Sequence, residues 1–137
     1  MLQFYFLSIM LNLVGGLVLL FSDREDLDQV IDSKLTSLAR DETFRLVLGI
    51  LAAITGFFKL LSVIRGDVPV VGDLLPSLSG LACGFIFLYE FYRTRTALDE
   101  ESIPVFLKSI VNSRKYVGVI SVCAAVLHFL FPTILFL

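Results

Sequence analysis

Four apolar stretches, each about as long as a lipid bilayer is thick, take up most of this chain of 137 residues. They run over 1–21, 43–64, 73–92 and 117–137. A helix rises ~1.5 Å per residue and the hydrocarbon core measures about 30 Å, so one span needs about 20 predominantly apolar residues. Four such segments leave no length for a separate soluble domain. Composition points the same way: 57% of the residues are hydrophobic and 18% charged, against about 45–50% and about a quarter in soluble domains. The expected fold is all-α, a single membrane domain over 1–137. It is a bundle of four transmembrane helices with two amphipathic connector helices, at 22–42 and 93–116.

The first span reads as a retained helix. Its first cation, Arg24, follows the apolar run, and LVLLFSDRED has no small-residue cleavage site, whereas a signal peptide begins with a basic region and ends in such a site. In the connector that follows, Leu27, Val30, Ile31, Leu35 and Leu38 recur at helical spacing between polar residues, the pattern of a helix lying at a membrane surface. Seven acids and three bases leave it at -4. The second connector presents Ile103, Phe106, Leu107, Ile110 and Val111; five bases and three acids leave it at +2. The opposite charges suit the two connectors to dock on each other or on a partner.

Lys and Arg in short loops set orientation, because they accumulate on the cytoplasmic side. The connectors hold three and five of them, and the turn near RGDVPVVGD holds Arg65 alone. The chain is therefore expected in the plasma (inner) membrane, connectors inside and both termini outside. Tyr89, Tyr92 and Tyr116 fit an interfacial aromatic belt. Asp73 is placed to cap the third span through its side chain, and Pro76 falls in that helix's first turn, where a missing N–H costs little.

Each half repeats one plan of span, connector and span. Asn12-Leu-Val-Gly-Gly-Leu is similar to Gly80-Leu-Ala-Cys-Gly-Phe, and Ile50-Leu-Ala-Ala-Ile-Thr-Gly-Phe to Val122-Cys-Ala-Ala-Val-Leu-His-Phe. Such a repeat would be parallel, about an axis along the membrane normal. This alignment sets Asn12 against Gly80 and His128 against Gly56.

Polar groups within spans are the candidates for function, because lipid penalises them. Counted from the span centres, Asn12, Thr55, Gly56, Ser79, Gly80, Cys83 and His128 share a midplane layer. Asn12, Thr55, Ser79 and His128 could line a ligand site or a pore, or bond across helices as packing contacts. Lys59 is expected to snorkel to the outer interface, with Asp73 as its partner if it turns inward. Glu90 is expected near the opposite edge, paired with Arg93 at i,i+3.

Several functions are disfavoured. The midplane layer has no carboxylate for a proton-coupled carrier. One His and two Cys on separate helices cannot close a four-ligand zinc site, nor can one His make a bis-His haem. A Ser79–His128 dyad has no oxyanion hole beside it. Nucleic acid has no basic patch to bind, and no cofactor or catalytic constellation is indicated. Cys83 and Cys123 lie within spans and act as small hydrophobes. The expected partners are membrane lipid and either further copies of the chain or a larger membrane complex. The leading function is a non-catalytic subunit or scaffold of a membrane assembly. A homo-oligomeric channel or carrier using the midplane layer is the alternative, and a redox-complex subunit comes third.

The second span carries Arg45-x3-Gly49-x6-Gly56-x2-Lys59. This resembles the first-helix signature of the DoxX-like family of small four-helix membrane proteins, over about sixteen residues and on the second helix here. The resemblance implies an association with redox and quinone-linked membrane complexes. It gives Arg45 an interfacial anchoring role and makes Lys59 part of a pattern.

Overall fold

The computed structural model describes residues 2–21, 33–61, 73–96 and 103–131. Among them the chain is all-helical: α1 (Leu2–Phe21), α2 (Ser33–Arg40), α3 (Glu42–Leu61), α4 (Leu74–Arg95), α5 (Val105–Asn112) and α6 (Arg114–Leu130). Three helices are long and apolar enough to cross a membrane, α1, α3 and α4. The pair α5 and α6, bent by 60°, makes a fourth if it is one span. The turn at 65–72, Leu27, Val30 and Ile31 of the first connector, the stretch 97–102 and the end of the fourth stretch at 132–137 lie outside the described residues.

The helix ends follow from local chemistry. Asp41 separates α2 from α3 and caps α3 by accepting from the Phe44 N–H at 2.7 Å. Asp73 occupies the N-cap of α4 but makes no side-chain cap bond. That corrects the expectation for Asp73: its carboxylate is engaged elsewhere. Its backbone carbonyl accepts from the Ser77 N–H and hydroxyl at 3.1 Å and 2.6 Å. Pro104 starts α5, and Ser113 is both the end of α5 and the start of α6.

α3 packs chiefly along α4, and α1 along α6; smaller contacts join α1 to α3, α4 to α6 and α1 to α4. The core cluster of Leu11, Val18, Leu19, Leu48, Cys83, Ile86 and Phe87 is flanked by Val14, Phe44 and Val117. Glycines set the closest approaches. A methyl added at Gly84 would lie 2.7 Å from the Gly49 carbonyl oxygen, and one at Gly16 would lie 2.7 Å from that of Gly118. Small residues let helix backbones approach this closely.

The buried faces of the two halves coincide. Every buried residue of α1 from Ser8 to Leu19 has a buried counterpart 68 positions later: Ser8 with Pro76, Asn12 with Gly80, Gly16 with Gly84, Leu19 with Phe87. Buried residues of α3 have counterparts in α6 69 positions later, Gly49 with Gly118, Gly56 with Ala125 and Lys59 with His128. Arg45 and Arg114 stand at the same offset. The second offset corrects the sequence alignment, which set His128 against Gly56. The two registers differ by three residues, close to one helical turn, so apolar similarity barely separates them while burial does.

Gly84→Ala is expected to destabilise the protein by about 1–3 kcal/mol through overpacking against α3. Gly80→Ala, whose added methyl would meet its nearest neighbour at 3.4 Å, should melt close to the parent. Circular dichroism melting of both variants in one detergent compares them.

Candidate functional site

Two charged clusters and a neutral polar seam lie inside the helix packing. The first cluster is built by four helices. Lys59, in the last turn of α3, is only 2% exposed. Its ammonium is 2.7 Å from Asp73 Oδ1 and 2.8 Å from His128 Nε2, and His128 Nε2 is itself 3.4 Å from that carboxylate oxygen. Tyr5 of α1 closes the group: its hydroxyl donates to the His128 carbonyl at 2.6 Å, and its ring centre lies 4.6 Å from that of the imidazole. The Lys59 ammonium is 5.3 Å from the centre of the Tyr5 ring, within reach of its electron-rich face.

Lys59 therefore turns inward rather than snorkelling, which corrects that expectation. The reason is its register. Gly49, Ala52, Gly56 and Lys59 share the buried face of α3, and Asp73 at the start of α4 offers a charge on that side. Desolvating an isolated ammonium costs far more than desolvating a neutral pair.

The second cluster lies at the far end of α4. Glu90 is bound by Arg45 of α3 and by Arg114 of α6, the latter at 3.1 Å. The Arg45 guanidinium lies 5.4 Å from the centre of the Phe87 ring. Asp73 and Glu90 are 17 positions apart, about 26 Å along a helix. Arg45 and Lys59 are 14 positions apart, as are Arg114 and His128. Fourteen residues make almost four full turns, so each pair stays on one face of its helix. At each end of the packing, matching positions on α3 and α6 thus meet one carboxylate of α4. The more exposed pair of Arg95 and Glu42, at 3.5 Å, adds little stability.

Between the clusters lies the seam. Asn12 Nδ2 donates to the Pro76 carbonyl at 2.9 Å and faces Ser8 Oγ at 3.5 Å, and the Ser79 hydroxyl donates to Asn12 Oδ1 at 2.9 Å. Gly80 lies beside the same amide. Asn12 and Ser79, both sequence candidates, are brought together; Thr55 is buried on α3. His128 does not share their depth. It meets Tyr5, seven residues and about 10 Å along α1 from Asn12. The span centre misplaced it because α6 already begins at Arg114. Arg93 is exposed beside Tyr89, Lys108 and Asn112, while Glu90 is held across helices by the two arginines.

Sequence reasoning missed Tyr5 and Arg114. A signal for Arg114 was present. Arg45-x3-Gly49-x6-Gly56-x2-Lys59 recurs as Arg114-x3-Gly118-x6-Ala125-x2-His128, a small residue and a basic ring standing for glycine and lysine. Tyr5 has no such signature in an aromatic-rich helix.

A family model for uncharacterised proteins matches residues 1–128, and the chain belongs to that family. Within this class, the chain is 36% identical over 138 residues to an uncharacterised protein of Treponema pallidum (strain Nichols), with all of both chains aligned. No solved structure matches it.

Lys59→Met should cost about 3–5 kcal/mol, because it strands the Asp73 carboxylate in the interior. Adding Asp73→Leu should recover much of that loss. Unfolding free energies of the two single variants and the double variant in mixed micelles measure the coupling. Additive losses would mean that the pair does not interact.

Proposed function

We propose that this chain is an integral membrane protein of four spans, α5 and α6 together supplying the fourth, and that it serves as a non-catalytic subunit or scaffold of a membrane assembly. The observation that carries this reading is where polarity lies. Inside, the two charged clusters and the Asn12–Ser79 pair bond across helices. Outside, the long helices expose Phe4, Phe6 and Met10, Ile54, Phe57 and Phe58, Leu78, and Val126, Phe129 and Leu130. Water would disfavour such a surface, whereas lipid or a partner helix covers it without cost. The rise of about 26 Å along α4 from Asp73 to Glu90 nearly matches the hydrocarbon thickness. The charged clusters then lie towards the two rims and the Asn12 seam lies between them.

The matching buried faces and helix pairings support a parallel repeat with its axis along the membrane normal. The Lys and Arg distribution orients α2 and α5 to the cytoplasm of an inner or plasma membrane. α5 presents Val105 and Phe106 outward, as a helix resting in the interface does. An apolar groove between α1 and α6, about 270 Å³ in volume and bordered by Phe6, Met10, Val126 and Phe129, offers a seat for a partner's helix.

A channel or carrier between protomers needs Asn12, Ser79 or His128 to face a shared space. All three are buried inside the helix packing of the chain, which favours the subunit reading. The DoxX-like signature residues take up packing and pairing positions: Gly49 and Gly56 against α4, Arg45 on Glu90 and Lys59 on Asp73. The redox-subunit reading thus keeps its place behind the other two.

Extraction in mild detergent followed by native mass spectrometry tests the proposal. The expected result is a defined oligomer or a stoichiometric complex with a membrane partner. A lone protomer that moves solutes when reconstituted in liposomes would overturn it.

A further inference from the structure

The first charged cluster holds a titratable group that an assembly role does not use. Among the described residues, Tyr5 from α1, Lys59 from α3 and Asp73 from the start of α4 face His128. An ammonium has only donors, so at 2.8 Å from Lys59 Nζ the Nε2 atom must accept. The ring is then neutral and carries its hydrogen on Nδ1. That same Nε2 is 3.4 Å from Asp73 Oδ1, the oxygen that Lys59 already holds. A carboxylate cannot donate and a lone pair cannot bond it, so this contact becomes a hydrogen bond only when Nε2 gains a proton.

The opposite end of the packing supplies an independent comparison. Arg114 stands where His128 stands, Arg45 stands where Lys59 stands, and both guanidiniums bind Glu90. Three of these four matching positions hold cations near neutral pH, and the fourth holds the one side chain whose charge ordinarily changes there.

We propose that His128 is a proton-binding site, and that a proton taken up on Nε2 exchanges the partner of Asp73 from Lys59 to His128. The proton joins the Nε2 lone pair and no covalent bond breaks. Before uptake, the Lys59 ammonium holds the Asp73 carboxylate. After uptake, His128 bonds that carboxylate, and Lys59 faces a second cation at a distance where the two repel. Lys59 is in the last turn of its helix, and its long stem lets the ammonium move to the helix end. Tyr5 holds the His128 carbonyl throughout and so fixes the ring's position in the exchange. The inference rests on the membrane reading only for where Lys59 goes, and on the assembly reading not at all.

His128 is the one histidine of the chain, so protein labelled with ¹⁵N-histidine reports a single imidazole by NMR in micelles. From about pH 8 to about pH 5, the ring should pass from the neutral form with Nδ1 protonated to the imidazolium. Asp73→Asn and Lys59→Met, which remove opposite charges beside the ring, should each move its titration, and in opposite senses. A ring neutral across the whole range, a neutral ring protonated on Nε2 at the upper end, or a titration unmoved by Lys59→Met would each overturn the proposal. If the variants do not fold, the parent's tautomer and titration decide alone. A lone protomer in native mass spectrometry would sink the assembly reading and leave this result standing.

Discussion

Charge neutralisation across helices is the constraint on which the rest of the structure depends. Helix α4 carries a carboxylate at each end, and each draws in side chains from α3 and α6: Lys59 and His128 on Asp73, Arg45 and Arg114 on Glu90. These contacts do not by themselves add much net stability, because desolvation offsets most of the attraction. Their role is to penalise every arrangement in which a charge is left alone. A slip of α3 by one residue would turn both Arg45 and Lys59 about 100° away from their acids. The two ends therefore fix rotation and depth together, a specificity that lipid-like side chains cannot supply.

The glycines and the charges act as one device. Close approach at Gly49 with Gly84 and at Gly16 with Gly118 brings helix backbones near enough for short polar side chains to meet. Asn12 reaches the Pro76 carbonyl and Ser79 next to the place where Gly56 lets α3 close on Ser77 and Leu81 of α4. Where the side chains are long, as at Lys59 and Arg45, the clusters lie towards the helix ends. The gradation from serine and asparagine in the middle to lysine and arginine at the ends follows how far each can reach.

Much of the helical layout was legible from sequence, because runs of some twenty apolar residues have few alternatives. The partnership of Asn12 and Ser79 was legible as a shared layer. The inward turn of Lys59 was not, since snorkelling and pairing both suit a lysine near a helix end, and only the face shared with Gly49 and Gly56 separates them. His128 was misplaced for a related reason. Depth was counted from an apolar stretch, whereas the helix begins earlier, at the charged residues Arg114 and Lys115. Tyr5 shows the limit of such reasoning: one aromatic among many gains its meaning only from the ring and carbonyl that it meets in space.

Both acids stand on α4, and the matching positions 68 residues earlier hold Tyr5 and Ser22. The first half of the chain thus contributes Lys59 and Arg45 to the clusters, while both acids come from the second half, with Arg114 and His128. In the membrane reading this has a consequence for biosynthesis. When α3 leaves the ribosome, the Asp73 carboxylate has not yet followed, and a charged lysine within a span opposes insertion by up to about 2.5–3.5 kcal/mol at the helix centre. The acid arrives with the next helix. The unit that enters the bilayer is accordingly the α3–α4 hairpin, with Lys59 and Asp73 already joined. α6 then docks against charges that are largely settled, and completes them.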